Sequence, residues 1–312
     1  MPVPRFALLL AVALDGLSCG GASAPGAERA GIREVVTVAS APAELIAEVS
    51  VGPGLVERLG ADASAGGWSP SNADLVSLVT ARRVLLMGAE FEPWAQRAGL
   101  PPSRTITLGD GLSRDAFIAT ATVSHTHGQG PSHSHGGVVL TVWTDPAQLR
   151  AMVHGAGEML AGVLEAPEAP DAATQAVKRH EAFEAEVAAY EAAIADLKER
   201  VGGRRLFAVA HGLEYVARAA DAPLLVTLLE IEASGERNDH AAALLEQAAA
   251  EPGHAGVLVW LGPIDAPFEK IAKEGLGLTS VRVDLGLEGS GATLLSRMTK
   301  SLEGLSAAVA PR

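Results

Sequence analysis

Residues 171–201 (DAATQAVKRHEAFEAEVAAYEAAIADLKERV) run without a glycine or a proline and are rich in alanine, glutamate and lysine. Val177, Phe183, Val187, Tyr190, Ile194 and Leu197 recur mostly at three- and four-residue steps. That spacing puts them on one apolar stripe of a helix of about 30 residues, roughly 45 Å long. Gly202-Gly203 ends it. The rest of the chain has to be organised around that rod.

On both sides of it, strand-like and helix-like segments alternate. Before it, strands are expected at Val35–Ala39, Val84–Met87, Thr105–Leu108 and Val138–Trp143. Helical spacing runs from Leu45 on to Val56 and Leu59, with Gly52-Pro53-Gly54 interrupting, then near Asp74–Thr80 and Glu92–Ala98, and again after Asp145-Pro146, with the aspartate as cap and the proline at the first helical position. After it, strands are expected at Leu206–Ala210, Leu224–Leu229, Val257–Trp260 and Ser280–Asp284, with helices near 213–220, 238–250, 266–274 and 292–308. Such alternation makes βαβ units and parallel sheets. The expected fold class is therefore α/β, with two lobes, 33–170 and 204–312, whose parallel-type sheets are flanked by helices and joined by one long rigid helix over 171–201.

Charge and cysteine usage exclude several functions. With 24 Lys+Arg against 37 Asp+Glu, a net charge of -13 and no basic run, the chain is not built to hold nucleic acid. Its single cysteine rules out a disulfide framework and a thiolate zinc cluster. That cysteine, Cys19, stands behind an export-like segment made of Arg5 and the apolar core Phe6–Leu14. The core is too short for a membrane span, which needs about 20 apolar residues, so residues 1–18 read as a signal peptide. Leu17-Ser18-Cys19-Gly20 resembles a bacterial lipobox, whose cleavage leaves the cysteine as a lipid-modified N-terminus, although Gly16 stands where such boxes favour leucine. Ala22-Ser23-Ala24 offers an ordinary cleavage site as the alternative, and a flexible tether runs over 19–32. The expected location is the periplasm or cell envelope, with a membrane lipid anchor on Cys19 or none if the ordinary site is cut.

Four of the nine histidines, His125, His127, His133 and His135, fall within residues 124–137 (SHTHGQGPSHSHGG). Nothing in that stretch can pack a core, so a mobile loop is expected. In extended backbone, residues i and i+2 point the same way, so each H-x-H pair can present two imidazoles to one ion. His211 follows the strand at 206–210, and Asp284 ends the strand that contains Val281–Val283. The carboxyl ends of strands form the ligand crevice of open α/β sheets, so both can face one cleft. No nucleophile or cofactor motif accompanies them, His180-Glu181 lacks the second histidine of H-E-x-x-H, and no enzyme is expected.

Six segments together resemble the zinc and manganese substrate-binding proteins of ABC-type metal importers. Pro70-Ser71-Asn72-Ala73-Asp74-Leu75 resembles that family's P-x-P-S-D-L, Met87–Trp94 its N-G-x-x-x-E-x-W, and Thr107–Leu112 its D-L-S-x-G-I. The His-rich insert followed by Val142-Trp143-Thr144-Asp145-Pro146 resembles the zinc-type insert and V-W-L-D-P. Ala210–Tyr215 is similar to F-H-x-x-x-x-Y, and Val283–Gly286 to D-P-L-G. The resemblance implies two lobes bridged by a single helix and a monomer that delivers metal to a permease. It also implies a site of three histidines and one carboxylate, because Zn²⁺ takes about four N/O ligands.

Carried over by position, the second-lobe pair is kept as His211 and Asp284. The first-lobe pair is not, because Gly66 or a neighbour and Thr141 stand where the family has histidine. Imidazoles with one carboxylate favour Zn²⁺ over Mn²⁺. The expected function is capture of zinc outside the cytoplasm, with His125, His127, His133 and His135 completing the shell begun by His211 and Asp284. The alternative is a divergent paralogue that has lost the cleft site and acts as a zinc buffer or an adhesion or interaction module.

Overall fold

The structure is a computed structural model. It describes residues 35–37, 40–60, 68–88, 91–120, 123–125, 133–135, 137–164, 171–226, 256–287 and 289–309. Cys19 with the export-like segment, Gly66, His127 and the helix expected at 238–250 lie outside the described residues. Residues 32–312 form one compact unit.

The first lobe is built on β1 (Val35–Thr37), α1 (Ala41–Val51), β2 (Val56–Arg58), α2 (Asn72–Thr80), β3 (Val84–Leu86) and β4 (Thr105–Thr107). The four strands are parallel, in the order β2-β1-β3-β4. The helix starts have local causes. Ser40 accepts from the amide of Ala43 at 3.3 Å, with Pro42 in the first turn. Ser71 and Asp74 form a reciprocal capping box, so part of the segment resembling P-x-P-S-D-L works as a helix start.

Several expectations are corrected. The helical run does not continue to Val56 and Leu59: Gly52, at φ 96°, and Pro53 break it, and Val56–Arg58 becomes an edge strand. Between Glu92 and Ala98 only a short 3-10 turn forms, Ala95–Arg97. There the Glu92 carboxylate turns inward and accepts from the amides of Met87 at 2.9 Å and Gly88 at 3.0 Å. Burial pushes that carboxyl up to about 7, against the lowering effect of its backbone bonds. No strand forms at Val138–Trp143, which is one bridge, Ala119 to Val138, and a 3-10 turn over Val142–Thr144. Within the His-rich segment the backbone pairs as a two-stranded ribbon, β5 (Val123–His125) with β6 (His133–His135), where a mobile loop was expected.

After α3 (Pro146–Leu164) comes the rod, α4 (Ala172–Val201), ended by Gly202 in the left-handed region at φ 52°. Its buried stripe is Phe183, Val187, Tyr190, Ile194, Leu197 and Val201. Val177 is 58% exposed, so burial begins one and a half turns later than the spacing implies. The second lobe comprises β7 (Leu206–Ala208), α5 (Glu214–Ala219), β8 (Leu224–Val226), β9 (Val257–Trp260), α6 (Ala266–Lys270), β10 (Thr279–Arg282) and α7 (Leu294–Val309). Its strands are parallel in the order β10-β9-β7-β8, the same winding as the first sheet although the sequence shows no repeat. The rod packs on α1 and α3 of the first lobe and on α5 and α7 of the second, within one continuous apolar cluster. No described helix is long and apolar enough to cross a membrane.

Two outcomes follow from this packing. Tyr190 is fully buried and its hydroxyl donates to the carbonyl of Thr144 at 3.0 Å. Tyr190→Phe strands that carbonyl and should cost about 1–3 kcal/mol, read as a lower urea midpoint with an unchanged m-value. Because the folded-state value of Glu92 lies above that of the unfolded chain, the native state binds its proton more tightly. The stability it contributes is full below about pH 4.5 and is lost as pH rises to about 7. The melting midpoint of metal-free protein should therefore fall across that window, and Glu92→Gln should remove most of the fall; the same fall in both proteins would clear Glu92 of the effect.

Candidate metal centre

His211 lies in the turn between β7 and α5, with its side chain one-third exposed. Its Nδ1 is hydrogen-bonded to Glu214 Oε1, and the amide of Gly212 donates to Glu214 Oε2 at 2.6 Å. Burial pushes the Glu214 carboxyl up, but the bonds from His211 and from the amides of Gly212 and Glu214 outweigh it and hold the group below the usual carboxylate range. Asp284 follows β10 by two residues. Its Oδ1 accepts from the amide of Gly286 at 2.8 Å, and its Oδ2 forms an ion pair with Nη1 of Arg297. Both candidates thus sit at carboxyl ends of strands, and each is already bonded to a neighbour. Since β9 lies between β7 and β10, the two strands that lead to His211 and Asp284 are separated by about 10 Å. Among the described residues, no three His, Cys, Asp or Glu side chains are gathered so as to hold an ion.

The first lobe meets this edge through residues 139–145. Thr141 is buried and its hydroxyl donates to the carbonyl of Gly212 at 2.7 Å, so the side chain that replaces the family's histidine is spent on a bond between the lobes. Trp143 is buried, stands edge-on to Phe91, and donates from Nε1 to the carbonyl of Leu285 at 2.8 Å. A side chain at Gly212 would be tight: at φ 139°, its Cβ would stand 3.0 Å from Leu261 Cδ1 and 3.3 Å from Thr141 Cγ2. The residues next to His211 and Asp284 are therefore sewn to the first lobe by direct hydrogen bonds.

The ribbon register pairs Val123 with His135, Ser124 with Ser134 and His125 with His133. Directly opposed positions share a face, and so do positions two apart, which places 125, 133 and 135 on one face of the ribbon. Its stem is closed by the amide of Thr120 donating to the carbonyl of Gly137 at 2.9 Å and by the amide of Val139 donating to that of Ile118 at 2.8 Å. Tyr215 clamps both arms of the stem: its hydroxyl accepts from the amide of Ile118 and donates to the carbonyl of Val139, each at 3.1 Å.

Sequence reasoning did not find Glu214, Tyr215 or Arg297 as partners of these groups. The i,i+3 spacing from His211 was a signal for Glu214. Nothing in sequence points from Asp284 to Arg297, thirteen residues on and one turn into another helix.

The profile of the family described as "Zinc-uptake complex component A periplasmic" matches residues 38–308. No curated protein matches the chain by sequence. Among solved structures, the periplasmic zinc-binding protein TroA from Treponema pallidum superposes with a TM-score of 0.66 at 15% identity, covering 90% of this chain and 100% of TroA. The Zn(II)-bound AdcA of Streptococcus pneumoniae gives 0.64 at 14% identity, over 90% of this chain and 59% of AdcA, so the chain spans well under two-thirds of that protein. The substrate-binding protein FpvC of Pseudomonas aeruginosa, in complex with Mn²⁺, gives 0.65 at 14% identity, covering 89% and 98%. These likenesses establish the shared fold, and the match over residues 38–308 establishes the lineage: the chain belongs to the periplasmic zinc-uptake component A family.

Proposed function

We propose that the chain captures zinc outside the cytoplasm and delivers it to the permease of an ABC-type importer, as a monomer tethered through a lipid on Cys19. Capture makes and breaks no covalent bond, so the chemistry is that of the donor set. His211 and Asp284 supply the second-lobe ligands. With Nδ1 bonded to Glu214, the imidazole of His211 keeps Nε2 for the ion, the usual carboxylate–histidine–metal arrangement. Two such groups leave a zinc ion short of its preferred four, and imidazoles of His125, His127, His133 and His135 complete the shell.

The observation that carries this reading is the pair of hydrogen bonds made by the Tyr215 hydroxyl. It ties both arms of the His-rich stem to the helix that opens three residues after His211, so the ribbon and the cleft edge share one anchor. Ordering residues between stem and ion costs about 1 kcal/mol each, so affinity should lie below that of a preformed four-ligand site.

Calorimetric titration of metal-stripped protein checks the donor set. His211→Ala should remove the tightest zinc event. Replacing 125–135 by a short turn should weaken zinc binding while leaving apo stability nearly unchanged, because the stem ends already lie side by side. The double change should cost less than the sum of the single ones, since residues sharing one ion are non-additive. Additive losses would instead show two independent sites, and no loss from His211→Ala would promote the buffer or interaction-module reading. In competition, Zn²⁺ should displace Mn²⁺, which prefers oxygen-rich octahedral shells, and the reverse order would overturn the metal assignment.

A further inference from the structure

Both oxygens of the Asp284 carboxylate already accept a hydrogen bond from the protein. Oδ1 takes the amide of Gly286 and Oδ2 takes the guanidinium of Arg297. That guanidinium is held in place from three more directions. Nη2 donates to the carbonyl of Ser290 at 3.2 Å and Nε to Thr293 Oγ1 at 3.1 Å. The backbone of Gly289 passes so close that a Cβ there would stand 2.9 Å from the guanidinium carbon. Gly289 has φ 79°, a conformation glycine adopts freely, so the turn bends around the arginine without strain. The pair is only partly exposed, at 26% for the Arg297 side chain and 37% for Asp284. An arginine fixed by its own turn, with its charge against a carboxylate, is preorganised to stay there.

We propose that Arg297 is a built-in competing cation: fixed against the carboxylate of Asp284, it opposes an incoming metal ion there and so lowers the metal affinity of the site. This rests on the reading of Asp284 as a zinc ligand. The guanidinium takes one lone pair of Oδ2 and cancels the charge of the carboxylate, so an incoming cation meets a weaker ligand and a like charge for as long as the pair holds. Carboxylate and guanidinium cancel within the pair, so no net charge is left at this edge by these two groups. The first lobe braces the same turn with a cancelled pair of its own: Arg58 and Glu44 are ion-paired at 3.0 Å, Arg58 donates to the carbonyl of Gly289, and Glu44 accepts from the amide of Gly291 at 2.5 Å.

The test is zinc titration of the metal-stripped full chain in four forms: wild type, Arg297→Gln, Asp284→Asn and the double variant. Arg297→Gln should bind zinc about ten- to a hundredfold more tightly than wild type, the value of one charge-assisted hydrogen bond, and Asp284→Asn should erase that gain in the double variant. A gain that survives Asp284→Asn would overturn the proposal, because the arginine would then be acting through overall charge. Unchanged or weaker binding in Arg297→Gln, with Asp284→Asn weakening the wild type, would also overturn it and leave Asp284 standing as a ligand. If Asp284→Asn has no effect on wild type yet Arg297→Gln creates Asp284-dependent binding, the arginine lock stands and the wild-type ligand reading fails. Should Arg297→Gln not fold, as judged by its apo melting curve, Arg297→Lys carries the same test. It keeps the charge but not the turn's three-way grip, so a smaller, Asp284-dependent gain is expected and no gain refutes the lock.

Discussion

The burial of one stripe of α4 on both sides of the molecule is the interaction from which the rest of the architecture hangs. Phe183, Val187, Tyr190, Ile194, Leu197 and Val201 face inward along a helix that touches α1 and α3 at one lobe and α5 and α7 at the other. An isolated helix of this composition gains little in water from propensity alone, so it is the burial of its stripe that stabilises it. Because the stripe is shared, neither sheet can shift along the rod without exposing apolar surface. Tyr190 adds direction to that constraint by bonding the Thr144 carbonyl at the start of α3, immediately beyond the segment that touches the second lobe.

The cleft is dominated by short-range polar bonds between neutral groups and by internally cancelled charge. Thr141, Trp143 and Tyr215 all cross between the lobes to backbone groups, which satisfies buried donors and acceptors without any ion. Asp145 and Arg218 pair at 3.0 Å at the same seam. Together these bonds join the two lobes directly at the carboxyl edge of the second sheet. The glutamate behind His211 fixes an imidazole through Nδ1, and the arginine beside Asp284 covers a carboxylate oxygen.

Some of the candidate site was legible in the residues and some was not, for reasons of range. His211 and Asp284 were legible because strand ends in α/β sheets follow from local patterning. The clustering of His125, His133 and His135 was legible as composition, but their placement on one face of a ribbon depends on a register set by pairing across eight residues. Thr141 was recognised as a departure from the family pattern. That its hydroxyl would reach Gly212 depends on two lobes meeting, with a separation of seventy-one residues in sequence. The strand expected at Val138–Trp143 failed for the same reason. Its first residues pair with Ile118 and Ala119 of the first lobe, while the Val139 carbonyl and the Thr141 and Trp143 side chains bond to the second, and an apolar run cannot reveal which partners it will find.

The sequence by itself determined the α/β class, the rod, its glycine stop, the capped starts of α1 and α2, and the break at Gly52-Pro53, because each of these is decided within a few residues by spacing, capping or backbone freedom. Only the tertiary structure decided that both sheets share one winding, that Val177 leaves the buried stripe, that Glu92 turns inward, and that Arg297 takes the oxygen of Asp284. Those outcomes depend on which distant surfaces come into contact, and burial and ion pairing act through space, where a one-dimensional pattern carries no record of distance.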